Sequence, residues 1–261
     1  MSSDVSLHVL YKVANAPINE FPFPHIYVRD VFPQDFYREL RAHLPPPEAF
    51  KTLHSLGRVD SSYPETRLVL PLTGESVGAL GEPYRSFWDQ LARWMLNASF
   101  GPIVLSRFTP FLDLRFGDSR ARKYHDEALL VQDYTAYSLG PHTDTPMKVM
   151  SFLFYLPPDD TQSHLGTSIY VPRDPGFFCP GGPHHPFDLF NRMQTMPFLP
   201  NTLFAFMKTP NSFHGVEPIA EGNARRDLLL YDIKVENPPE LAQQAPPARQ
   251  PVAAPKVSFS F

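Results

Sequence analysis

The chain has 261 residues, of which 43% are hydrophobic and 13% aromatic, so it is long enough to enclose one sizeable core. Its formal net charge of −4 provides no basic field, which argues against nucleic acid and anionic membranes as partners. A single cysteine, Cys179, excludes an internal disulfide and a zinc–thiolate cluster. With neither a leader pattern nor a long apolar run, we expect a cytoplasmic protein and leave its oligomeric state open.

The N-terminal part of the chain predicts a mixture of strands and helices. Residues 1–20 fit an irregular arm or an edge strand, and residues 21–32 predict a strand from their aromatic and β-branched content. Apolar residues at helical spacing predict helices over residues 33–44 and 82–100. A further strand is expected over residues 67–72.

The pattern changes at residue 103, where short apolar runs begin to alternate with turn residues. This texture predicts a sandwich or barrel of antiparallel strands over about 103–236, and therefore a mainly β (α+β) fold. Residues 173–201 are rich in Pro and Gly and predict a long loop that could cover a binding site. We expect one domain over 1–237, followed by a disordered Pro/Ala/Gln-rich tail over 238–261.

The most informative segment is GPHTDTP, residues 140–146. Side chains two apart in an extended chain share a face, so His142 and Asp144 can bind the same ion. His214, in NSFHGVEPI, is the best candidate for a third ligand. A lone His-x-Asp or His-Gly is more often a turn, but their conjunction with flanking strands predicts the two-His, one-carboxylate site typical of non-haem Fe(II) oxygenases.

The order of motifs over residues 124–236 resembles the double-stranded β-helix (jelly-roll) core of the Fe(II)- and 2-oxoglutarate-dependent dioxygenases, especially their prolyl-hydroxylase-like branch. After HTD come SFLFYLPP, LGTSIYV, LPNTLFAF, HGVEPI, EGN and ARRDLLLYDI. The resemblance covers a little under half of the chain. It implies N-terminal helices packed on one face of the jelly roll.

The resemblance also implies residues that bind 2-oxoglutarate. Its far carboxylate would meet an arginine on the strand after the distal histidine, which makes Arg225 and Arg226 the candidates. The family pattern Arg-x-Ser-Leu favours Arg225, although Asp227 replaces the serine and would share the face of Arg225. Tyr134 and Tyr155 are either hydroxyl donors to 2-oxoglutarate or core aromatics.

By this resemblance the protein uses Fe(II), 2-oxoglutarate and O2, with ascorbate as an optional stimulant. It would hydroxylate or otherwise oxidise an unactivated C–H bond and release succinate and CO2. A small molecule is the expected substrate, and a protein side chain such as proline is the alternative. Because the halogenating members lack the carboxylate that Asp144 supplies, hydroxylation is favoured.

The rival functions are a catalytically silent ligand-binding jelly roll and a cupin-type metalloenzyme. His184 and His185 fit an exposed loop better than a second metal site.

Overall fold

Two antiparallel sheets face each other in this computed structural model, which describes residues 3–59, 63–96, 100–220, 222 and 224–244. The helices of the described residues are α1 (Ser3–Asn15), α2 (Gln34–Ala42), α3 (Gly74–Gly78), α4 (Tyr84–Met95), α5 (Phe100–Phe116) and α6 (Pro239–Gln244). The strands are β1 (His25–Arg29), β2 (Lys51–Thr52), β3 (Arg67–Pro71), β4 (Tyr124–Tyr134), β5 (Leu139–His142), β6 (Lys148–Tyr155), β7 (Thr167–Pro172), β8 (Phe190–Met196), β9 (Thr202–Met207), β10 (His214–Val216) and β11 (Arg225–Val235).

The larger sheet has the strand order β1-β9-β6-β11-β4-β3-β2, and the smaller one has the order β5-β10-β7-β8. All the strand pairs are antiparallel. Helices α1, α2, α4 and α5 cover the outer face of the larger sheet. The expected mainly β (α+β) jelly roll with N-terminal helices on one face is therefore confirmed.

The central strand β11 separates two environments. Alternate side chains, Leu229, Tyr231, Ile233 and Val235, pack into the hydrophobic core under the helices. The side chains between them face the space between the two sheets, where a cavity lies. This alternation follows from the period of two along a strand, and it decides which residues of β11 can reach a ligand.

Helix α5 occupies residues for which the sequence predicted the start of the β core. Val104, Phe108, Leu112 and Phe116 recur every four residues and are buried along one helical stripe. Each fully buried side chain of this size stabilises the fold by roughly 1.5–3 kcal/mol, so packing outweighs the β-branched composition and the internal Pro110. The jelly roll therefore starts with β4 at Tyr124, not at residue 103.

Three other expectations need correction. The N-terminal arm is the helix α1. The loop expected over 173–201 includes a regular strand, β8, because it pairs with β7 along the edge of the smaller sheet. The tail expected from residue 238 begins with helix α6, whose Glu240 forms a buried ion pair with Arg115 at 2.8 Å. Residues 245–261 of the expected tail lie outside the described residues.

No helix in the described part of the chain is both long and apolar enough to cross a membrane.

Candidate metal centre and cavity

His142, Asp144 and His214 meet between the two sheets. His142 ends β5, His214 begins β10, and the two are direct cross-strand partners. One potential ligand atom from each of the three residues lies within 4.8 Å of the other two, and all three side chains are buried. They are the only His, Cys, Asp and Glu residues among those described that cluster in this way.

Both histidines are oriented by backbone carbonyls two residues earlier. The Nδ1 atom of His142 lies 3.0 Å from the carbonyl oxygen of Gly140, and Nδ1 of His214 lies 3.0 Å from that of Ser212. A carbonyl can only accept, so each Nδ1 carries the proton and each Nε2 keeps its lone pair. Hydrogen bonds of this kind fix the ring orientation and the tautomer that metal ligation needs.

The charge states of the three groups also suit a metal ion. Burial, and next the charge of His214, lower the pKa of His142 well below its ordinary value. Burial likewise lowers the pKa of His214. Burial acts to raise the pKa of Asp144, but the ammonium group of Lys148, followed by the two histidines and the Ser151 hydrogen bond, outweighs it and lowers that pKa. At neutral pH the cluster therefore offers two neutral imidazoles and one carboxylate.

A cavity of about 460 Å³ extends from this cluster along the larger sheet. Its walls include the apolar side chains of Leu129, Leu153, Leu228 and Leu230. Arg226 lines the cavity on the face of β11 that it shares with Leu228 and Leu230.

Arg226 is completely buried and is held by an ion-pair network across three strands. Its Nη1 donates to Oδ2 of Asp133 at 2.7 Å. Arg67 holds the same carboxylate with two hydrogen bonds, of 2.6 and 2.8 Å. The Nε and Nη2 atoms of Arg226 have no hydrogen-bond partner in the described residues. These two donors form one edge of the guanidinium, and the geometry of that edge matches a carboxylate.

Arg225, the favoured anchor in the sequence prediction, lies on the opposite face of β11. Its side chain is 40% exposed and donates to Asp227 rather than lining the cavity. Asp227 also pairs with Arg41 of helix α2 at 3.2 Å. The period of two along the strand places Arg226, and not Arg225, in the cavity, so the assignment of Arg225 is corrected.

The two predicted tyrosines differ in their placement. Tyr134 does not line the cavity, and its hydroxyl donates to Gln132 at 2.8 Å. Its prediction as a 2-oxoglutarate contact therefore does not fit this structure. Tyr155 is fully buried, and its hydroxyl accepts a hydrogen bond of 3.1 Å from the backbone N–H of Thr167, which lines the cavity.

The loop between β7 and β8 is fastened to the segment that carries the candidate ligands. The Thr143 hydroxyl donates to the carbonyl oxygen of Cys179 at 2.9 Å. Gly181, with φ of +131°, lies so close that an added Cβ would be 2.4 Å from the carbonyl oxygen of Asp144. His184 is exposed in this loop, as expected, and it also lines the cavity, with its ring centroid 4.7 Å from that of His142.

Sequence reasoning missed Arg67, Asp133, Lys148 and Asp232, which the structure places around the cavity or its ion pairs. The available signal was weak. Asp133 and Asp232 are acidic residues close to apolar runs in their strands, and a buried charge needs a partner. The sequence does not reveal the partner, because it depends on strand pairing.

Comparison with known proteins places the fold but not the activity. No protein-family model matches the chain, and no curated protein matches it. Among solved structures, the chain is similar to a prolyl hydroxylase from Trichoplax adhaerens in complex with a hypoxia inducible factor peptide, with a TM-score of 0.51 and 12% identity over 93% of this chain and 94% of that one.

Two further solved structures have lower scores. A prolyl-4-hydroxylase from Pseudomonas putida gives a TM-score of 0.45 and 15% identity, over 89% of this chain and 99% of that one. HygX from Streptomyces hygroscopicus, with nickel and 2-oxoglutarate bound, gives a TM-score of 0.44 and 13% identity, over 90% of this chain and 87% of that one. At these identities the similarity shows the fold alone, and it rests on the Trichoplax structure, whose TM-score is 0.51.

Proposed function

We propose that this protein is an Fe(II)- and 2-oxoglutarate-dependent oxygenase that hydroxylates, or otherwise oxidises, an unactivated C–H bond of a small molecule. One observation carries the proposal: a buried cluster of two histidines and an aspartate opens onto a cavity lined by a buried arginine with one unpaired edge. The jelly-roll fold agrees with it.

The donor set fits a resident Fe(II) ion. Two neutral imidazoles and one carboxylate occupy three positions of an octahedron and leave three open, which suits Fe(II) oxygen chemistry. A structural zinc site would fill four positions with protein ligands, whereas this cluster has three members among the described residues. His142, Asp144 and His214 would hold the metal.

The opposite end of the site fits a carboxylate. Arg226 presents Nε and Nη2 without a partner, and leaving such donors buried and unpaired costs free energy unless an acceptor arrives. Asp133 orients the guanidinium by its ion pair, and Arg67 in turn holds the Asp133 carboxylate. We assign the far carboxylate of 2-oxoglutarate to this edge. The Thr167 N–H and the Tyr155 hydroxyl stay paired with each other, so Tyr155 shapes the adjacent wall.

With Fe(II), 2-oxoglutarate and O2 bound, such a site couples decarboxylation of the cosubstrate, to succinate and CO2, with oxidation of the substrate. The role of the protein is to bind, orient and exclude water. The leucine walls supply the dry surface, and the two carbonyl-anchored imidazoles supply fixed ligand directions. Asp144 fills the position that halogenating members leave open, which favours hydroxylation.

The loops that border the cavity support a small substrate over a folded partner. Tyr63, which precedes β3, and His184, which precedes β8, approach to 6.0 Å between ring centroids, and both line the cavity. The two loops therefore meet at the cavity. A protein side chain such as proline is the second candidate, because the Trichoplax prolyl hydroxylase was solved with a peptide.

The proposal is tested by anaerobic titration of the metal-free protein with Fe(II) and 2-oxoglutarate. We expect a weak visible charge-transfer band in the wild type and its loss in His142→Ala. Absence of this band in the wild type, or its persistence in His142→Ala, would contradict the proposed metal site and favour a catalytically silent jelly roll. A screen of small molecules and proline peptides for succinate release then identifies the substrate.

The remaining sequence predictions belong to the same proposal. One catalytic domain would span residues 1–237, extended by α6 because Glu240 pairs with Arg115. A cytoplasmic location is consistent with the single cysteine, and cell fractionation tests it.

A further inference from the structure

Lys148 makes a direct ionic contact with the candidate metal ligand Asp144. It begins β6, and its Nζ lies 3.2 Å from Oδ1 of Asp144. The other carboxylate oxygen, Oδ2, accepts a hydrogen bond of 2.9 Å from the Ser151 hydroxyl. Each oxygen of Asp144 therefore has its own donor on the protein.

A second carboxylate keeps Lys148 in this position. Oδ2 of Asp232 lies 3.0 Å from the same Nζ, and Asp232 is 2% exposed on the cavity face of β11. The three charged groups form a chain in the order Asp144, Lys148, Asp232. Because they are largely withdrawn from solvent, salt screens their interaction less than it would at the surface.

The backbone of the same segment is fixed from the helix side. Arg115 of α5 donates to the carbonyl oxygens of Pro146 at 2.6 Å and of Lys148 at 2.7 Å. The backbone of Lys148 is therefore fixed, and the carboxylates of Asp144 and Asp232 direct its side chain.

We propose that Lys148 is a positioning residue that holds the Asp144 carboxylate in one orientation, so that a single oxygen faces the metal and the other metal positions stay open for the cosubstrate. This inference rests on the proposed function. Without the ammonium group only the Ser151 hydroxyl holds the carboxylate, which can then turn both oxygens toward a metal ion and occupy a position that 2-oxoglutarate needs. The cavity also loses a cation near a dianionic cosubstrate.

The two consequences of removing Lys148 have opposite signs. A nearby cation opposes the binding of a metal cation, so Lys148→Met should bind a divalent metal more tightly. The same variant should bind 2-oxoglutarate more weakly. A variant that merely damages the structure would lose both affinities together, so the split excludes a merely structural effect.

The test uses the full chain under anaerobic conditions, with Mn(II) alone followed by electron paramagnetic resonance, and with Fe(II) plus 2-oxoglutarate followed by the charge-transfer band. For Lys148→Met we expect tighter Mn(II) binding and a half-saturating 2-oxoglutarate concentration raised about 10-fold or more, because a cation near the dianion is lost and the carboxylate can turn. Lys148→Arg retains the charge and should stay close to the wild type. Lys123→Met, a change of the same kind at an exposed position, should alter both affinities by less than about threefold.

The double variant Lys148→Met/Asp232→Asn distinguishes positioning from charge balance. If Lys148 served only as the counter-ion of Asp232, removing both charges would restore the affinity for 2-oxoglutarate. We expect this affinity to stay low, because Asp144 still lacks the donor on Oδ1. Recovery in the double variant would overturn the inference, as would wild-type 2-oxoglutarate affinity in Lys148→Met or a joint loss of both affinities.

A wild type that binds no Mn(II), or that forms no charge-transfer band, would instead overturn the proposed function itself. A wild type with the band but no response to Lys148→Met overturns the inference alone.

Discussion

Arg226 and Asp133 are cross-strand partners on β11 and β4, and Arg226 Nη1 donates to Asp133 Oδ2 at 2.7 Å with both side chains fully buried. The carboxylate that neutralises Arg226 is itself shared with Arg67, so two guanidinium groups meet one anion. The network therefore retains an excess positive charge inside the protein. A dianionic cosubstrate at the unpaired edge of Arg226 would compensate it.

Arg226→Gln should weaken 2-oxoglutarate binding, because it removes a charged, two-pronged donor. The loss should be about 2–4 kcal/mol, or roughly 30- to 1000-fold in the half-saturating concentration. The adjacent Arg225→Gln is the matched control, since Arg225 faces away from the cavity. The charge-transfer titration measures both. An equal effect of the two variants would refute the placement of the cosubstrate carboxylate.

Arg115→Ala should destabilise the fold. Arg115 pairs with Glu240 at 2.8 Å, and the two side chains are 7% and 14% exposed. Removing one partner of such a buried pair costs about 3–5 kcal/mol. Urea unfolding should show this loss, together with weaker Mn(II) binding, because Arg115 also fixes the backbone of Pro146. Arg120→Ala, at an exposed position four residues after the end of this helix, should change little.

The metal-free protein should lose stability as the pH falls below 6.5, the ordinary pKa of histidine. Burial lowers the pKa of His142 and of His214 in the folded state, so below this pH the unfolded chain takes up protons that the folded chain does not. Each histidine contributes up to about 1.4 kcal/mol per pH unit to the fall. Urea unfolding across this range measures it, and a His142→Gln/His214→Gln variant should show a flatter profile. A wild-type profile that is already flat would contradict neutral, buried imidazoles.

Lys208→Met should stabilise the protein at neutral pH. Lys208 is 1% exposed, and burial lowers the pKa of its ammonium group to about 8. Since the folded-state pKa lies below the ordinary 10.5, protonation favours the unfolded chain, and the full penalty applies below the folded-state pKa. We expect a gain of about 1–3 kcal/mol in the free energy of unfolding at pH 7. This gain should disappear as the pH rises from the folded-state pKa of about 8 to the ordinary pKa of 10.5. Chemical denaturation in neutral and alkaline buffers checks it, and an equal gain in both would exclude this cause.

The candidate metal ligands could be predicted because two local rules agree. Alternation along an extended chain places His142 and Asp144 together, and a histidine at the start of a later strand can complete the set. The structure brings His214 opposite His142 as a cross-strand partner, so strand pairing supplies the third ligand. The sequence indicates that such a strand exists, whereas the register comes only from the fold.

The choice between Arg225 and Arg226 could not be made reliably from the sequence. Strand β11 is buried on both faces, so its hydrophobic pattern does not show which residues face the cavity. Asp227 was the useful signal: it shares the face of Arg225 and pairs with it away from the cavity. The partner of Arg226 is Asp133 of β4, which is also held by Arg67 of β3, and both strands are distant from β11 in sequence.

Helix α5 shows a different limit of predicting secondary structure from the sequence. Its β-branched and aromatic residues favour a strand by composition, and Pro110 interrupts a helical interpretation. Only the four-residue spacing of Val104, Phe108 and Leu112 indicates the helix, and that spacing becomes decisive when a sheet is available to pack against. Tertiary packing therefore decided this element.

The two faces of β11 also predict how the protein can evolve. Substitutions at Leu229, Tyr231 and Ile233 disturb the core beneath the helices, so they should be purged for their effect on folding. A substitution at Leu230, which is only partly buried, mainly changes the wall of the cavity. One strand thus lets substrate preference drift while the scaffold is conserved, and a mutational scan along it should alternate between loss of abundance and change of chemistry.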